Sequence, residues 1–132
     1  MASRRASCSC GQFTVTCEGD PIRASICHCF ACQQRTGSVF GVQARYLREN
    51  VVLEGQATEW VRIGDSGGRI TFRFCPACGS TLCWEIDAMP GMIAIAVGAF
   101  ADASFPKPKV AVYEARRHPW TKHPDDDLEH YD

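Results

Sequence analysis

No run of apolar residues in this 132-residue chain approaches the roughly 20 needed to span a bilayer, so a membrane helix is excluded. No excess of charge exists either. The formal net charge is −1, and basic residues gather no further than pairs such as Arg4-Arg5 and Arg116-Arg117. Such a balance offers no electrostatic footprint for nucleic acid or an anionic membrane. The opening residues Met1 to Ser7 lack the apolar core of a secretory signal, which makes the cytoplasm the expected location. Repeats of solenoid length are missing, and helical periodicity is nearly so. Histidine is scarce, with four in all.

Cysteine, by contrast, is abundant: nine in a chain with 45% apolar residues. The odd count, the lack of a secretory signal and the C-x-C and C-x-x-C spacings favour metal ligation over a disulfide framework. Zinc is the expected ion. Seven of the nine fall into three tight groups, Cys8/Cys10, Cys27/Cys29/Cys32 and Cys75/Cys78. Sulfurs on tetrahedral zinc lie about 3.8 Å apart, so each group has the spacing to converge on an ion. The two pairs, far apart in sequence, make a natural four-cysteine structural site. That leaves Cys27, Cys29 and Cys32 as a three-cysteine site with an open position, the arrangement of a catalytic zinc.

Three thiolates make the ion a weak Lewis acid and suit it to a soft, exchangeable ligand such as a substrate thiol. His28 sits between two of these cysteines, and strand alternation turns it away from them. It reads as a surface or supporting imidazole rather than the fourth ligand. Arg35 stands ready to offset the site's negative charge or to hold a substrate carboxylate; the plainer reading is a solvated helix-turn residue. Cys17 and Cys83, outside any motif, read as core residues. Trp60, Trp84 and Trp120 read as packing, with lining of a pocket as the alternative. His118, His123 and His130 belong to a polar tail.

Short strands punctuated by turns make the fold mainly β, a single small domain of antiparallel sheets clipped by zinc over residues 1–132. Strands are expected over residues 13–17, 22–26, 38–46, 50–55, 58–63, 69–74, 81–86, 92–97 and 110–115. A helical turn is expected over 30–35, a hairpin at Gly64 to Gly68, and a surface loop or short helical turn in the tail 116–132.

Cys8-x-Cys10-Gly11, Cys27-His28-Cys29-x-x-Cys32 with Arg35-Thr36-Gly37-Ser38, and Phe74-Cys75-x-x-Cys78-Gly79-Ser80 together resemble the glutathione-dependent formaldehyde-activating family. The centromere protein V type of domain belongs to the same group. The resemblance runs over about residues 7–115 and includes Val97-Gly98-Ala99-Phe100 with Asp102. It implies a β-tent type fold and two zinc ions, one on Cys8, Cys10, Cys75 and Cys78 and the other on Cys27, Cys29 and Cys32. It also implies a carbon–sulfur lyase or synthase that joins glutathione to formaldehyde as S-hydroxymethylglutathione. The expected partner is a glutathione-like small-molecule thiol, with a homodimer left open. A non-catalytic zinc module for a protein partner and a thiol-based sensor are the alternatives.

Overall fold

The chain begins with a strand that its sequence does not advertise. Ser3–Ser7 forms β1 despite a polar composition, because it pairs antiparallel with β2 (Thr14–Glu18) from Ser3↔Glu18 to Ser7↔Thr14. Arg4 fastens it further by an ion pair of 2.8 Å to Asp20. In this computed structural model, residues 2–122 and 128–132 are described. Phe13, just before β2, and Val15 and Cys17 within it are buried as expected, with Thr14 buried between them; Phe13 and Val15 each favour folding by about 1.5–3 kcal/mol of transfer free energy. β5 (Val51–Glu54) completes a three-stranded sheet in the order β1-β2-β5.

The second sheet carries the remaining strands. β3 (Arg23–Cys27), β4 (Gly41–Leu47), β6 (Thr58–Ile63), β7 (Arg69–Phe74), β8 (Thr81–Ile86) and β9 (Met92–Ala96) lie within one or a few residues of the sequence expectation. With β10 (Val110–Val112) and β11 (Glu129–His130) they run in the order β11-β10-β3-β4-β9-β8-β7-β6. The Gly64–Gly68 hairpin closes β6 onto β7 with the Gly64 N–H donating to the Gly68 carbonyl at 2.8 Å. The mainly β expectation holds.

Alternation splits this sheet between two clusters. Tyr46, Cys83, Ile93 and Ile95 face the small sheet and meet Phe13, Val15, Cys17 and Val51 in the main core. Phe72, Trp84 and Ala94 face the other way, with Ile70, Ile86 and Ala96 against them. Cys17 and Cys83 are fully buried in the main core, as their place on apolar faces implied, and burial pushes their thiols up to about 12 and about 11. Both stay protonated and inert.

The tail is anchored at two points. Most of its described residues are exposed, but two are not: Leu128 is buried with Ile26 and Ala111, and Thr121 is buried as well. β11 pairs parallel with β10, which in turn pairs parallel with β3. Leu128 docks its stretch of the tail by packing against Ile26 and Ala111. His123 and the acidic run lie outside the described residues.

Candidate metal centre

The four-cysteine group joins the two sheets. Cys8 and Cys10 follow β1, and Cys75 and Cys78 follow β7. Their sulfurs all lie within 4.8 Å of one another. The Cys8–Cys10 and Cys10–Cys75 separations are 3.6 and 3.7 Å. Those are the distances that a tetrahedral tetrathiolate demands, so the donor set fits zinc.

Donors surround the sulfurs. The backbone N–H of Phe13 points to Cys8 at 3.3 Å, and those of Ala77 and Cys78 point to Cys75 at 3.4 and 3.5 Å. The Gln12 amide donates to Cys75 at 2.9 Å. Burial works against ionisation of Cys75, but Gln12 and these two N–H groups outweigh it and the thiol is lowered. The Ser80 hydroxyl, 3.4 Å from Cys78, and the Ser80 backbone N–H pull Cys78 down to about 5. Cys10 goes the other way, up to about 11: the Gln12 backbone contact lowers it, but the bond to Cys8, desolvation and the bond to Cys75 prevail. Such donors orient ligands and stabilise thiolates around a metal.

Gln12 is placed by Gly55. The Gln12 side chain also bonds the Gln56 backbone in both directions, at 2.8 and 2.9 Å. Gly55 has φ +94°, and a Cβ there would stand 1.9 Å from the Gln12 carbonyl oxygen. Gly55→Ala therefore meets a backbone collision and a left-handed conformation at once. It will cost more than about 3 kcal/mol in thermal unfolding, and at lower temperature it will weaken metal retention by moving Gln12 off Cys75.

The three-cysteine group is built differently. Cys27 ends β3, Cys29 caps the helix α1 (Phe30–Thr36), and Cys32 lies in its first turn. Their sulfurs also lie within 4.8 Å of one another. Seven residues of helix are marginal alone, and α1 buries none of its side chains completely. Polar ties hold it instead. The Cys29 sulfur accepts the Cys32 N–H at 3.3 Å, and Gly37, with φ 73°, closes the far end by donating to the Gln33 carbonyl at 2.8 Å. The Gln33 amide donates to the His28 and Arg116 carbonyls at 2.9 and 3.3 Å, while its oxygen meets His118 Nε2 at 3.0 Å.

Cys29 is held far below the ordinary thiol range by the bonds its sulfur accepts from Cys27 and Cys32, with Arg62 adding to the effect. Cys27 is driven up in return by the same bonds to Cys29 and Cys32. Cys32 is raised as well. The Cys27 bond pulls it down, as does Arg35, but the bond to Cys29 and burial prevail. The cluster thus holds one ready thiolate. Three sulfur donors fit zinc, and no histidine, aspartate or glutamate joins them among the described residues.

His28 is not at the surface. It is fully buried, its ring 6.1 Å from that of Phe40, and its backbone N–H donates to the Val112 carbonyl at 3.1 Å. Alternation does turn it from the sulfurs, but that opposite side is covered rather than solvated. Trp84 is packed as expected, whereas Trp60 and Trp120 are exposed. His118 reaches α1 through Gln33, and His130 meets the Glu114 carboxylate at 2.9 Å.

The three thiols open on a cavity of about 410 Å³. On one wall lie Phe72 and Trp84, ring centroids 5.5 Å apart, and the exposed Trp60 stacks behind Phe72 at 5.6 Å, outside the cavity. Arg35 lies over Trp84 at 4.2 Å, within cation–π range, so its guanidinium is directed into the cavity rather than left in bulk solvent. Gly41 makes room for it, since a Cβ there would stand 3.1 Å from the guanidinium and 3.5 Å from Cys32 Cβ. Arg62 and Arg116 also line the cavity, and the sequence reading missed both. A W-x-R alternation on β6 is the only trace that Arg62 leaves; Arg116 leaves none.

Comparison with known proteins agrees with this geometry. No curated protein matches the chain. Its fold is similar to the crystal structure of a Rhodobacter sphaeroides protein, with a TM-score of 0.56 and 18% identity over 72% of this chain and 85% of that one. Identity that low speaks for the fold alone. The family model described as glutathione-dependent formaldehyde-activating enzyme matches residues 3–116, a span that takes in both thiol clusters, α1 and every strand but β11. With more than four-fifths of its length so matched, the chain belongs to that family.

Proposed function

We propose that this protein is a zinc-dependent carbon–sulfur lyase acting on an adduct of glutathione or a related thiol. Formation of S-hydroxymethylglutathione from glutathione and formaldehyde is the reaction its family points to. One observation carries the reading: the three-thiol cluster opens on a cavity, whereas the four-thiol cluster has a complete donor set. Cys8, Cys10, Cys75 and Cys78 hold a structural ion, and Cys27, Cys29 and Cys32 hold the second. Zinc at the second site supplies a soft centre that favours the deprotonated form of an incoming thiol.

The chain's own residues supply the rest. Arg35 offsets negative charge at Cys32 and offers a fork to a substrate carboxylate. Phe72 and Trp84 shield one side of the cavity from water and strengthen the charge interactions inside it. In the condensation a bond forms between the substrate sulfur and the aldehyde carbon, the carbonyl π bond breaks, and the thiol proton ends on the new hydroxyl. No oxidant or reductant is needed. A reducing compartment such as the cytoplasm suits this reading, since nine cysteines, seven of them in ligand spacing, need to stay available as thiols.

Exchange-broadened carbon NMR of labelled formaldehyde mixed with glutathione tests the reading. Zinc-loaded protein will raise the exchange rate well above that of the mixture alone. Unchanged exchange with both ions bound would leave a zinc-stapled β domain without this activity.

A further inference from the structure

The charges around the cavity are lopsided. Arg35, Arg62 and Arg116 line it, and Asp65 is the one acidic side chain that does so among the described residues. Elsewhere in the chain, Arg4, Arg48 and Arg73 each meet a carboxylate at 2.8–3.2 Å. Within the cavity, neither Arg35 nor Arg62 has a carboxylate within 4.0 Å among the described residues, and Arg116 reaches only Asp65, at 4.0 Å. That contact is loose, and Asp65 is 85% exposed. Pairs of this kind contribute little.

The three arginines come from different elements. Arg35 is on α1, Arg62 on β6, and Arg116 on the turn after β10. Each is braced on an aromatic face: Arg35 on Trp84 at 4.2 Å, Arg62 on Phe72 at 5.9 Å, and Arg116 on Phe30 and Tyr113 at 5.6 and 5.5 Å. The thiolate cluster that Arg35 and Arg62 face offsets part of this charge, but three half-buried cations held on rings, around a cavity large enough for a small peptide, leave positive charge over for a further anion. One function for such a wall is to receive the ligand's negative charge.

We propose that Arg62 and Arg116 are the specificity-determining residues of this site, gripping carboxylates of a thiol substrate, while Asp65 at the hairpin tip competes with the substrate for Arg116. The inference rests on the thiol-site reading above and names the substrate class: thiols with carboxylate groups away from the sulfur. A neutral thiol reaches the same sulfurs but finds nothing to hold its other end. Asp65 acts as a counter-charge that the ligand displaces, so its removal improves binding. No structural role for Asp65 predicts that sign.

Isothermal titration of the zinc-loaded protein with 2-mercaptoethanol, 3-mercaptopropionate and mercaptosuccinate tests this at low ionic strength. Affinity will rise by about tenfold for each carboxylate, and the advantage will shrink in high salt. The carboxylated thiols are the weaker thiol acids, so acidity alone orders the series in the opposite sense. Arg62→Gln and Arg116→Gln will each lower mercaptosuccinate affinity about tenfold more than mercaptoethanol affinity, and Asp65→Asn will raise it by about threefold. Equal affinities for the three thiols in the native protein, or equal losses for all three in the variants, overturn the inference and leave the thiol site standing. No heat with any thiol refutes both.

Discussion

Cys75→Ser will release one of two metal ions and lower the unfolding free energy by more than about 4 kcal/mol, a fall of roughly 10–20 °C in Tm. The size follows from position. Cys75 is fully buried, accepts three hydrogen bonds and sits at the sulfur cluster that ties the end of β7 to the segment after β1. Serine offers a hard oxygen in place of a soft sulfur, and the remaining three thiols no longer close the shell. The small sheet then keeps its packing against the large one and the Ser9–Ser80 bonds at 3.1 Å, but not the metal clip. Cys83→Ala is the control. It removes a buried sulfur with no part in either cluster, costs about 1–2 kcal/mol, and leaves both ions bound. Metal analysis beside calorimetry on the two variants separates a lost ligand from a lost core atom.

Cys29→Ser has the opposite profile: it will abolish thiol binding at the second site while leaving Tm within a few degrees. Cys29 is the N-cap of α1, and serine caps helices well, so the local structure keeps its bond to the Cys32 N–H. What disappears is the sulfur with the most depressed ionisation of the three. Partners around a metal site are worth roughly 10–100-fold in affinity, so loss of a direct ligand will exceed about 100-fold in adduct formation. A Cys29→Ser protein that still accelerated the glutathione–formaldehyde exchange would remove this cluster from the chemistry.

How much of this was legible beforehand depends on the range of the signal. The thiol groupings are local, carried by C-x-C and C-x-x-C spacing, and the structure assembles them four and three as the spacing implies. β6 and β7 are plain for a similar reason: a period-2 pattern flanks a glycine-rich turn, and the hairpin needs nothing distant. β1 was invisible because Ser3–Ser7 is a strand only by virtue of its partner, β2. Of the two readings of His28, only the surface one fails, because alternation says which way a side chain points but not what waits there; Phe40 does. The anchoring of the tail by Leu128 was not legible, because its burial depends on Ile26 and Ala111, far away in sequence. Arg62 and Arg116 escaped notice because a cavity wall drawn from three elements has no sequence spacing at all.

The separation of one closed and one open thiol site is tested most directly by cobalt substitution. The protein is loaded with cobalt, its metal content is measured, and its visible spectrum is followed as glutathione is added. Two ions per chain, with the spectrum of one changing as glutathione enters and the other constant, is the predicted result. One ion per chain with a spectrum indifferent to glutathione would contradict it.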